Sequence, residues 1–502
     1  MKILRKTITA ATAALMMAAV QAGVDPAKLP LETLSADIIV VGAGGTGLAA
    51  AASAAENGAK VIVLEKLPMI GGSSAFSGGS IAGGGTKAQA RAGDKDTTPQ
   101  GYADIWLNDQ KRSYKGGNSE YPNEALVRKM VNEFTFTINW LEDTVGHKFA
   151  KPRPFGYGGP NYAHAPAEAP VPASGRGSSP AGGRFVIKNV KLHLDKLGVP
   201  VRTNTTVTSL IQNAKGDVIG VKAHDQSKRY EVKSQAVVLA TGGFAHNKEM
   251  MERLVPAFAP YVDKSVATVG ATGDGIRMAV EAGGVEYPDA WVIGLYVSSP
   301  ISELSKTFTS KDKYKDRVFV NEKGERFVNE DLPYLTDPVA MQKAAWAIVD
   351  SADPKKAAPL NAYNDPKIAV KGNNWRELAQ AMGVSPDALD KTMNDYNEAC
   401  RTGEDKTFKK PKAYLKPFVK APFYAVRVIP QTGGTIGGVK VNDKFQVVSK
   451  DGTPIKGLYA GGEVINRPYY NRVYTSGSGL GIAYTSGRLA GRNAALAVKS
   501  EQ

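Results

Sequence analysis

Three short runs of consecutive apolar residues mark the chain, at residues 38–41, 61–64 and 237–239. Continuous apolar runs of this length are typical of strands that are covered on both faces of a parallel sheet. An alanine-rich helical pattern lies between the first two runs, so that a strand, a helix and a strand follow one another. The pattern therefore predicts an α/β fold built on a parallel sheet.

Weaker periodic patterns predict the remaining elements. The predicted helices cover residues 120–147, 185–197, 338–350 and 374–402, and the predicted strands lie within 201–221 and 318–327. Glycine-rich nucleotide-binding motifs occur on both sides of residues 292–434, and this range contains no nucleotide-binding motif. This change predicts a Rossmann-like nucleotide-binding domain, residues 36–291 and 435–502, that is split by an inserted α+β capping domain, residues 292–434.

The first apolar run leads into a turn with three glycines at the spacing G-x-G-x-x-G, which are Gly42, Gly44 and Gly47. In dinucleotide-binding folds the first glycine permits the tight turn, the second lets the backbone approach a pyrophosphate, and the third lets the helix pack on the strand. The helix N-terminus then faces the phosphates. Glu65 ends the second run about 20 residues further on, where a carboxylate accepts hydrogen bonds from a ribose. The stretch predicts a bound dinucleotide.

Further glycine motifs follow along the chain. Residues 69–85 are predicted to be an irregular loop whose backbone amides run beside a ligand. Other motifs stand at residues 240–243, 272–275, 457–463 and 476–481, and the last of them opens a final helix. The candidate cofactor-binding residues are Gly42, Gly44, Gly45, Gly47, Glu65, Lys66, Gly71, Gly72, Ser73, Ser74, Ser77, Gly78, Gly79, Ala240, Thr241, Gly242, Gly243, Thr272, Asp274, Gly462, Glu463, Ser478, Gly479 and Leu480.

The N-terminus has the pattern of a secretory signal. Residues 1–22 begin with Lys2, Arg5 and Lys6, continue with an apolar segment and end in small residues. This pattern predicts a cleaved signal peptide and a periplasmic protein, and an uncleaved signal that serves as a membrane anchor is the alternative. Residues 23–35 are predicted to be a linker. No later run approaches the roughly 20 apolar residues of a membrane span.

Composition narrows the class of function. The formal net charge is +15, and lysines dispersed over an exported chain favour an anionic substrate or an acidic redox partner over nucleic acid. Cys400 is the single cysteine, so it cannot close an internal disulfide. The chain has no C-x-x-C-H motif and no cysteine cluster, which predicts that it carries neither haem nor a metal.

The motifs GAGGTG, GGSSAFSGG, ATGG, TGDG, NEKGERFVNE, AGGE and SGSGLG occur in this order over about residues 36–496. Together they resemble the flavoprotein family that contains soluble fumarate reductases, succinate dehydrogenase flavoprotein subunits, urocanate reductases and 3-ketosteroid dehydrogenases. The resemblance implies FAD, with its pyrophosphate at the first glycine turn, its adenosine ribose at Glu65 and its ribityl side at Glu463. It also implies that residues 478–481 bring the N-terminus of the last helix toward the isoalloxazine, and that a carbon–carbon double bond is made or reduced there.

The chain departs from the fumarate-reducing members at the substrate site. Two histidines of those members are missing, Tyr334 stands in the place of the proton-donating arginine, and Tyr474 lies near a lost carboxylate-binding arginine. Two tyrosines in these places are similar to the ketosteroid dehydrogenases. We predict Tyr334 as the proton donor, with Tyr474 as the alternative or as the group that holds a substrate carbonyl. A neighbouring cation, Arg472, Arg467 or Lys313, would lower the pKa of the phenol from about 10.

Three functional hypotheses follow from the resemblance and the signal. The first is an exported FAD-dependent reductase of an α,β-unsaturated acid with an aryl or alkyl tail, used as a respiratory electron acceptor. Its electrons would come from a separate c-type cytochrome or a quinol-linked donor. The second is a ketosteroid-like dehydrogenase that works in the desaturating direction. The third is a non-catalytic flavin electron-transfer protein.

Overall fold

The structure is a computed structural model, and it describes residues 25–155, 159–170, 181–301, 304, 315–332 and 335–501. The predicted signal, residues 1–22, lies outside the described residues. The chain divides into two compact units, and we call them unit 1 (residues up to 254, 266–293 and from 434 onward) and unit 2 (residues 255–265 and 294–433). Residues 255–265 therefore belong to unit 2, although the sequence assigned them to the nucleotide-binding part.

The strands follow in chain order. They are β1 (Leu31–Ser35), β2 (Ile38–Val41), β3 (Val61–Leu64), β4 (Ile81–Ala82), β5 (Ala163–His164), β6 (Val201–Arg202), β7 (Thr206–Gln212), β8 (Val218–His224), β9 (Arg229–Lys233), β10 (Ala236–Leu239), β11 (Trp291–Ser298), β12 (Val318–Asn321), β13 (Ala345–Val349), β14 (Ala369–Gly372), β15 (Phe423–Arg427), β16 (Ile429–Ile436), β17 (Gln446–Val448) and β18 (Pro454–Ala460).

The α-helices within the described residues are α1 (Gly45–Glu56), α2 (Gly72–Phe76), α3 (Lys87–Arg91), α4 (Pro99–Gln110), α5 (Glu124–Asp143), α6 (Gly183–Lys196), α7 (Lys248–Leu254), α8 (Asp274–Glu281), α9 (Thr336–Ala340), α10 (Pro354–Ala357), α11 (Trp375–Met382), α12 (Pro386–Thr402) and α13 (Ser478–Ser500). Within the part of the chain that the structure describes, no helix is both long and apolar enough to cross a membrane.

The centre of unit 1 is a six-stranded sheet in the order β17-β18-β10-β2-β3-β6. β2 lies between β10 and β3, and all three run parallel. Every residue of these three strands is buried, which explains why each is a run of apolar residues without alternation. The sheet confirms the predicted α/β fold, and it places the glycine turn after β2 beside the chain that follows β10.

A second sheet of unit 1 corrects the prediction for residues 23–35. Leu31–Ser35 forms β1, the edge strand of the order β1-β9-β8-β7, and it pairs in parallel with β9. Its residues alternate between exposed and half-buried positions. The sequence Leu-Glu-Thr-Leu-Ser does not carry this period-two pattern, because Leu31 is exposed and Leu34, three residues further on, lies on the opposite, half-buried face. Only the residues before β1 are left to serve as a linker.

Unit 2 contains a four-stranded antiparallel sheet in the order β12-β13-β15-β14. Apolar side chains form one buried cluster with Phe319 and Tyr424 and a second with Trp375 and Phe418. The helix predicted near 338–350 is wrong for most of its length, because α9 ends at residue 340 and residues 345–349 form β13. The sequence Ala-Trp-Ala-Ile-Val is buried throughout, and such a run does not distinguish a strand from a buried helix.

Two further predictions change in detail. The helix predicted over 374–402 is two helices, because Gly383 ends α11 in the left-handed conformation (φ 74°) and Pro386 opens α12. The stretch at residues 69–85 is not wholly irregular, since it contains α2 and the short strand β4. The predicted helices at 120–147 and 185–197 are confirmed by α5 and α6.

Candidate active site

The G-x-G-x-x-G motif lies in the turn between β2 and the start of α1. At two of its three glycines there is no room for a side chain. Gly42 has φ +101°, and a Cβ there would lie 2.5 Å from the carbonyl oxygen of Ala240. A Cβ on Gly47 would lie 1.8 Å from the carbonyl oxygen of Gly42. Gly44 differs, because the nearest atom to its Cβ position is 4.0 Å away. The turn therefore leaves open space beside Gly44, at the N-terminus of α1, where phosphate groups bind in dinucleotide folds.

Glu65 is held against this turn. One carboxylate oxygen accepts a hydrogen bond from the backbone N–H of Ala43 at 2.8 Å, and the other accepts one from Leu67 at 2.8 Å. Burial raises the pKa of Glu65, although the backbone donors oppose that shift. Each carboxylate oxygen keeps a second lone pair for a further donor. A ribose hydroxyl is a donor of that kind.

The segment around α2 packs on the same turn. The N–H of Gly71 donates to the carbonyl of Ala43 at 2.7 Å, and the Ser74 hydroxyl accepts from the N–H of Gly45 at 3.3 Å. Ser73 accepts from the N–H of Thr268 at 3.0 Å. The structure thus brings the predicted glycine- and serine-rich stretch to the predicted phosphate site.

Lys66 joins the motif at residues 272–275 to this region. Its ammonium group lies 2.6 Å from the Thr272 hydroxyl and 2.6 Å from a carboxylate oxygen of Asp274. Asp274 is the first residue of α8, where a carboxylate stabilises the helix N-terminus. These contacts make the three residues one cluster. Their contact with a cofactor stays a prediction.

The glycine turn after β10 meets Glu463. One carboxylate oxygen of Glu463 accepts from the backbone N–H of Thr435 at 3.0 Å, and the Thr435 hydroxyl accepts from the N–H of Phe244 at 3.1 Å. Desolvation raises the pKa of Glu463 to about 7. Thr435 has no place among the sequence predictions. Its only signal is its position directly after the glycine pair 433–434.

Tyr474 lies at the start of α13. A Cβ built on Gly479 would be 3.4 Å from the Tyr474 hydroxyl, so the phenol packs on the first turn of the helix. Burial raises the pKa of Tyr474, and the backbone N–H groups of Gly477 and Gly479 hydrogen-bond to the phenol oxygen and oppose that shift. The phenol oxygen thus lies at the positive end of the helix dipole, which stabilises negative charge there.

Comparison with known proteins identifies the cofactor that these features fit. The chain matches the family model described as an FAD binding domain over residues 37–480. The chain belongs to this FAD-binding family. The open space at Gly44 suits the pyrophosphate of FAD, and the Glu65 carboxylate suits its ribose.

Individual relatives of the chain in this FAD-binding family point to the reaction class. It is 30% identical to a probable fumarate reductase of Shewanella frigidimarina over 473 residues. This alignment covers 93% of this chain and 75% of the relative. It is 28% identical to the vinyl phenol reductase of Lactiplantibacillus plantarum, with 92% and 96% covered. Among solved structures, a 3-ketosteroid Δ4-(5α)-dehydrogenase of Rhodococcus jostii in complex with 4-androstene-3,17-dione matches with a TM-score of 0.69 and 26% identity, over 92% of this chain and 97% of that one.

The family and these relatives make the chain an FAD-dependent oxidoreductase that acts on carbon–carbon double bonds. This assignment favours the two catalytic hypotheses over that of a non-catalytic flavin carrier. The predicted cofactor, FAD, is confirmed by the family match. The individual cofactor contacts stay predictions.

The side chain of Arg467, a predicted catalytic residue, is bound within the protein. Its side chain is 1% exposed, and its guanidinium donates to the carboxylate and carbonyl of Asp289 and to the carbonyl of Tyr470. Its face stacks on the ring of Tyr121 at 3.5 Å. The guanidinium is therefore committed to the protein, and it holds the chain before β11 to the chain before Tyr474.

Arg472 is placed differently from Arg467. Its guanidinium stacks on Trp291 at 4.0 Å, and it makes no ion pair with any residue that the structure describes. Burial alternates along residues 471–474, so that Arg472 and Tyr474 are the two partly exposed positions. The role of Arg472 as the cation beside Tyr474 stays a prediction.

Two of the predicted participants, Tyr334 and Lys313, lie outside the described residues. His164 in β5 is buried. Its ring nitrogens lie 2.7 Å from the Thr86 hydroxyl and 3.1 Å from the carbonyl of Tyr162. Both ring nitrogens therefore have partners within the protein.

Proposed function

We propose that this oxidoreductase reduces the C=C bond of an α,β-unsaturated acid of the aryl- or alkyl-acrylate type, which serves as a respiratory electron acceptor. The proposal is supported by the reductase relatives and, within the site, by one observation: the Tyr474 hydroxyl lies against the N-terminus of α13. A phenol in that position can hold a substrate carbonyl or donate a proton. Arg472, two residues before Tyr474 in the sequence, is the proposed neighbouring cation.

Bound FAD would supply the hydride for the β-carbon of the substrate. The chain must then deliver a proton to the α-carbon and stabilise the negative charge that develops on the carboxyl oxygens. The Tyr474 hydroxyl transfers its proton, and the resulting phenolate is stabilised by the N–H groups of Gly477 and Gly479 until water returns the proton. Tyr334 is the other proposed proton donor. The sequence analysis favours Tyr334 over Tyr474 for this role.

A matched pair of variants, Tyr474→Phe and Tyr334→Phe, tests the proton donor. Each variant removes only one hydroxyl, and the loss of a general acid lowers turnover about 10²- to 10⁴-fold. Reoxidation of the dithionite-reduced protein would be followed by flavin absorbance with a panel of acrylates and cinnamates. The fall in turnover should appear in one variant and not in the other. Full turnover in both variants, or no reoxidation by any acid in the wild type, would contradict the proposal.

We further propose that the chain is exported to the periplasm and receives electrons from a separate c-type cytochrome or a quinol-linked donor. The N-terminal pattern of residues 1–22 supports export. N-terminal sequencing of the protein recovered from osmotic-shock fluid tests it. A mature N-terminus close to residue 23 is the expected result, and an intact N-terminus in the cytoplasmic fraction would contradict it.

A second candidate reaction runs in the opposite direction. The likeness to a solved 3-ketosteroid dehydrogenase supports desaturation of a saturated ketone, with Tyr474 holding its carbonyl. Incubation with saturated ketosteroids and an artificial electron acceptor distinguishes desaturation from the proposed reduction. A desaturating enzyme bleaches the acceptor rapidly, whereas the proposed reductase does so only slowly.

A further inference from the structure

The connection between α12 and β15 in unit 2 carries an unusual concentration of lysines. Five of them are exposed, and none forms an ion pair with any residue in the described part of the chain. They are Lys406, Lys409, Lys412, Lys416 and Lys420. The acidic residues of this connection are Glu404 and Asp405, and Asp405 is buried and bound to Arg326 at 2.7 Å. The segment therefore carries a local positive charge without neutralising partners.

The segment is held in place at its first end by buried polar groups. The Asp405 carboxylate accepts from the backbone N–H of Phe408 at 3.0 Å and of Lys410 at 3.3 Å. The Lys410 side chain is fully buried, and its ammonium group lies 3.1 Å from Glu330 and 2.6 Å from the carbonyl of Arg317. The exposed lysines thus project from a chain whose backbone is fixed.

The second end of the segment is held equally firmly and presents an apolar side chain. The side-chain amide of Asn397 bonds both the N–H and the carbonyl of Phe418, at 2.9 and 3.0 Å, and the Phe418 ring is buried. Asp350 accepts from the N–H groups of Val419 and Lys420. Val419 is 73% exposed, which is the largest exposure of any large hydrophobic side chain in the described residues.

We propose that residues 406–420 are a docking surface for an anionic phospholipid membrane. Lysines near an anionic lipid surface each contribute favourable attraction, and clusters of four to eight of them are typical of such surfaces. A protruding valine between Lys416 and Lys420 adds apolar contact at the boundary between headgroups and acyl chains. Attachment of this kind is peripheral and reversible, and it weakens as salt screens the charges.

The test is co-sedimentation of the full chain with vesicles of phosphatidylglycerol and phosphatidylcholine, compared with phosphatidylcholine alone. The triple variant Lys412→Gln, Lys416→Gln, Lys420→Gln should lower binding to the anionic vesicles about 100-fold, since each lysine contributes about fivefold. Val419→Ser should lower it several-fold. Wild-type binding should disappear from the anionic vesicles between about 50 and 500 mM salt.

A charge-matched triple variant in unit 1, with the exposed residues Lys95, Lys215 and Lys450 changed to Gln, is the control, and it should lose less than tenfold. All variants share the same N-terminus, so any contribution of the N-terminus to vesicle binding is the same in the two triple variants that are compared. The proposal is overturned if the wild type does not bind the anionic vesicles or binds neutral vesicles as well. It is also overturned if the two triple variants lose binding equally. Retention on immobilised polyglutamate without vesicle binding would instead assign the surface to an acidic protein.

Discussion

Replacing Gly44 by Ala should separate cofactor binding from folding. Gly44 has φ −74° and ψ −176°, a conformation open to alanine, and the nearest atom to its Cβ position is 4.0 Å away. The apoprotein should therefore tolerate the methyl group with a loss of at most about 1 kcal/mol from the poorer N-cap. If the pyrophosphate lies against this backbone, the methyl group stands between them.

The expected loss of FAD affinity follows from the hydrogen bonds at stake. A hydrogen bond from a backbone N–H to a charged phosphate contributes about 1.5–3 kcal/mol. Losing one such bond weakens binding about 10- to 150-fold, since about 1.4 kcal/mol corresponds to a factor of ten. Titration of the apoprotein with FAD, followed by flavin fluorescence, measures the affinity. Urea unfolding of the same apoprotein measures its stability.

Gly47→Ala is the matched control. Its Cβ would lie 1.8 Å from the carbonyl oxygen of Gly42, which belongs to the backbone and cannot rotate away. Overpacking of this kind costs about 1–3 kcal/mol or more, so this variant should lose apoprotein stability as well as FAD affinity. Wild-type FAD affinity in Gly44→Ala would refute the placement of the phosphates. Wild-type stability in Gly47→Ala would refute the close contact of α1 with the turn.

Three further predictions concern buried charges and hydrogen bonds. Burial lowers the pKa of His164 to about 4, so between pH 6.5 and 4 the unfolded chain binds a proton that the folded chain does not. His164 should by itself contribute a loss of about 3 kcal/mol over that range, and His164→Gln should reduce the acid sensitivity by about that amount in urea unfolding at pH 7.5 and 4.5, whereas an unchanged acid sensitivity would contradict it. Arg467→Gln should cost about 3 kcal/mol because it removes the buried cation and leaves Asp289 with the Asn118 amide as its side-chain donor, whereas the exposed control Arg253→Gln should cost less than about 1 kcal/mol. Equal losses in the two arginine variants would show that the Arg467 contacts contribute little. Desolvation raises the pKa of Glu463 to about 7, so stability falls as pH rises from 4.5 to 7, and Glu463→Gln should make the apoprotein more stable at pH 8 by up to about 3 kcal/mol. A less stable variant at pH 8 would contradict the shift.

Local spacing was sufficient to predict one part of the candidate site. The turn from Gly42 to Gly47 and the carboxylate of Glu65 could be predicted because a strand, a tight turn and a helix N-terminus require these residue types at these intervals. Buried runs and helical periods likewise located β2, β3, β10 and the long helices. Where a pattern was ambiguous the prediction failed: residues 345–349 form a strand, since a short buried apolar run suits either element.

Contacts between residues distant in the chain became evident only from the three-dimensional fold. Arg467 and Asp289 are 178 residues apart, and no spacing rule shows that they meet. The same holds for Glu463 and Thr435, and for the strand β1, whose partner β9 lies almost 200 residues further on. A hydrogen bond or ion pair forms wherever folding brings two groups together. Side chains of the same type, such as Arg467 and Arg472, therefore receive different roles from their neighbours in space.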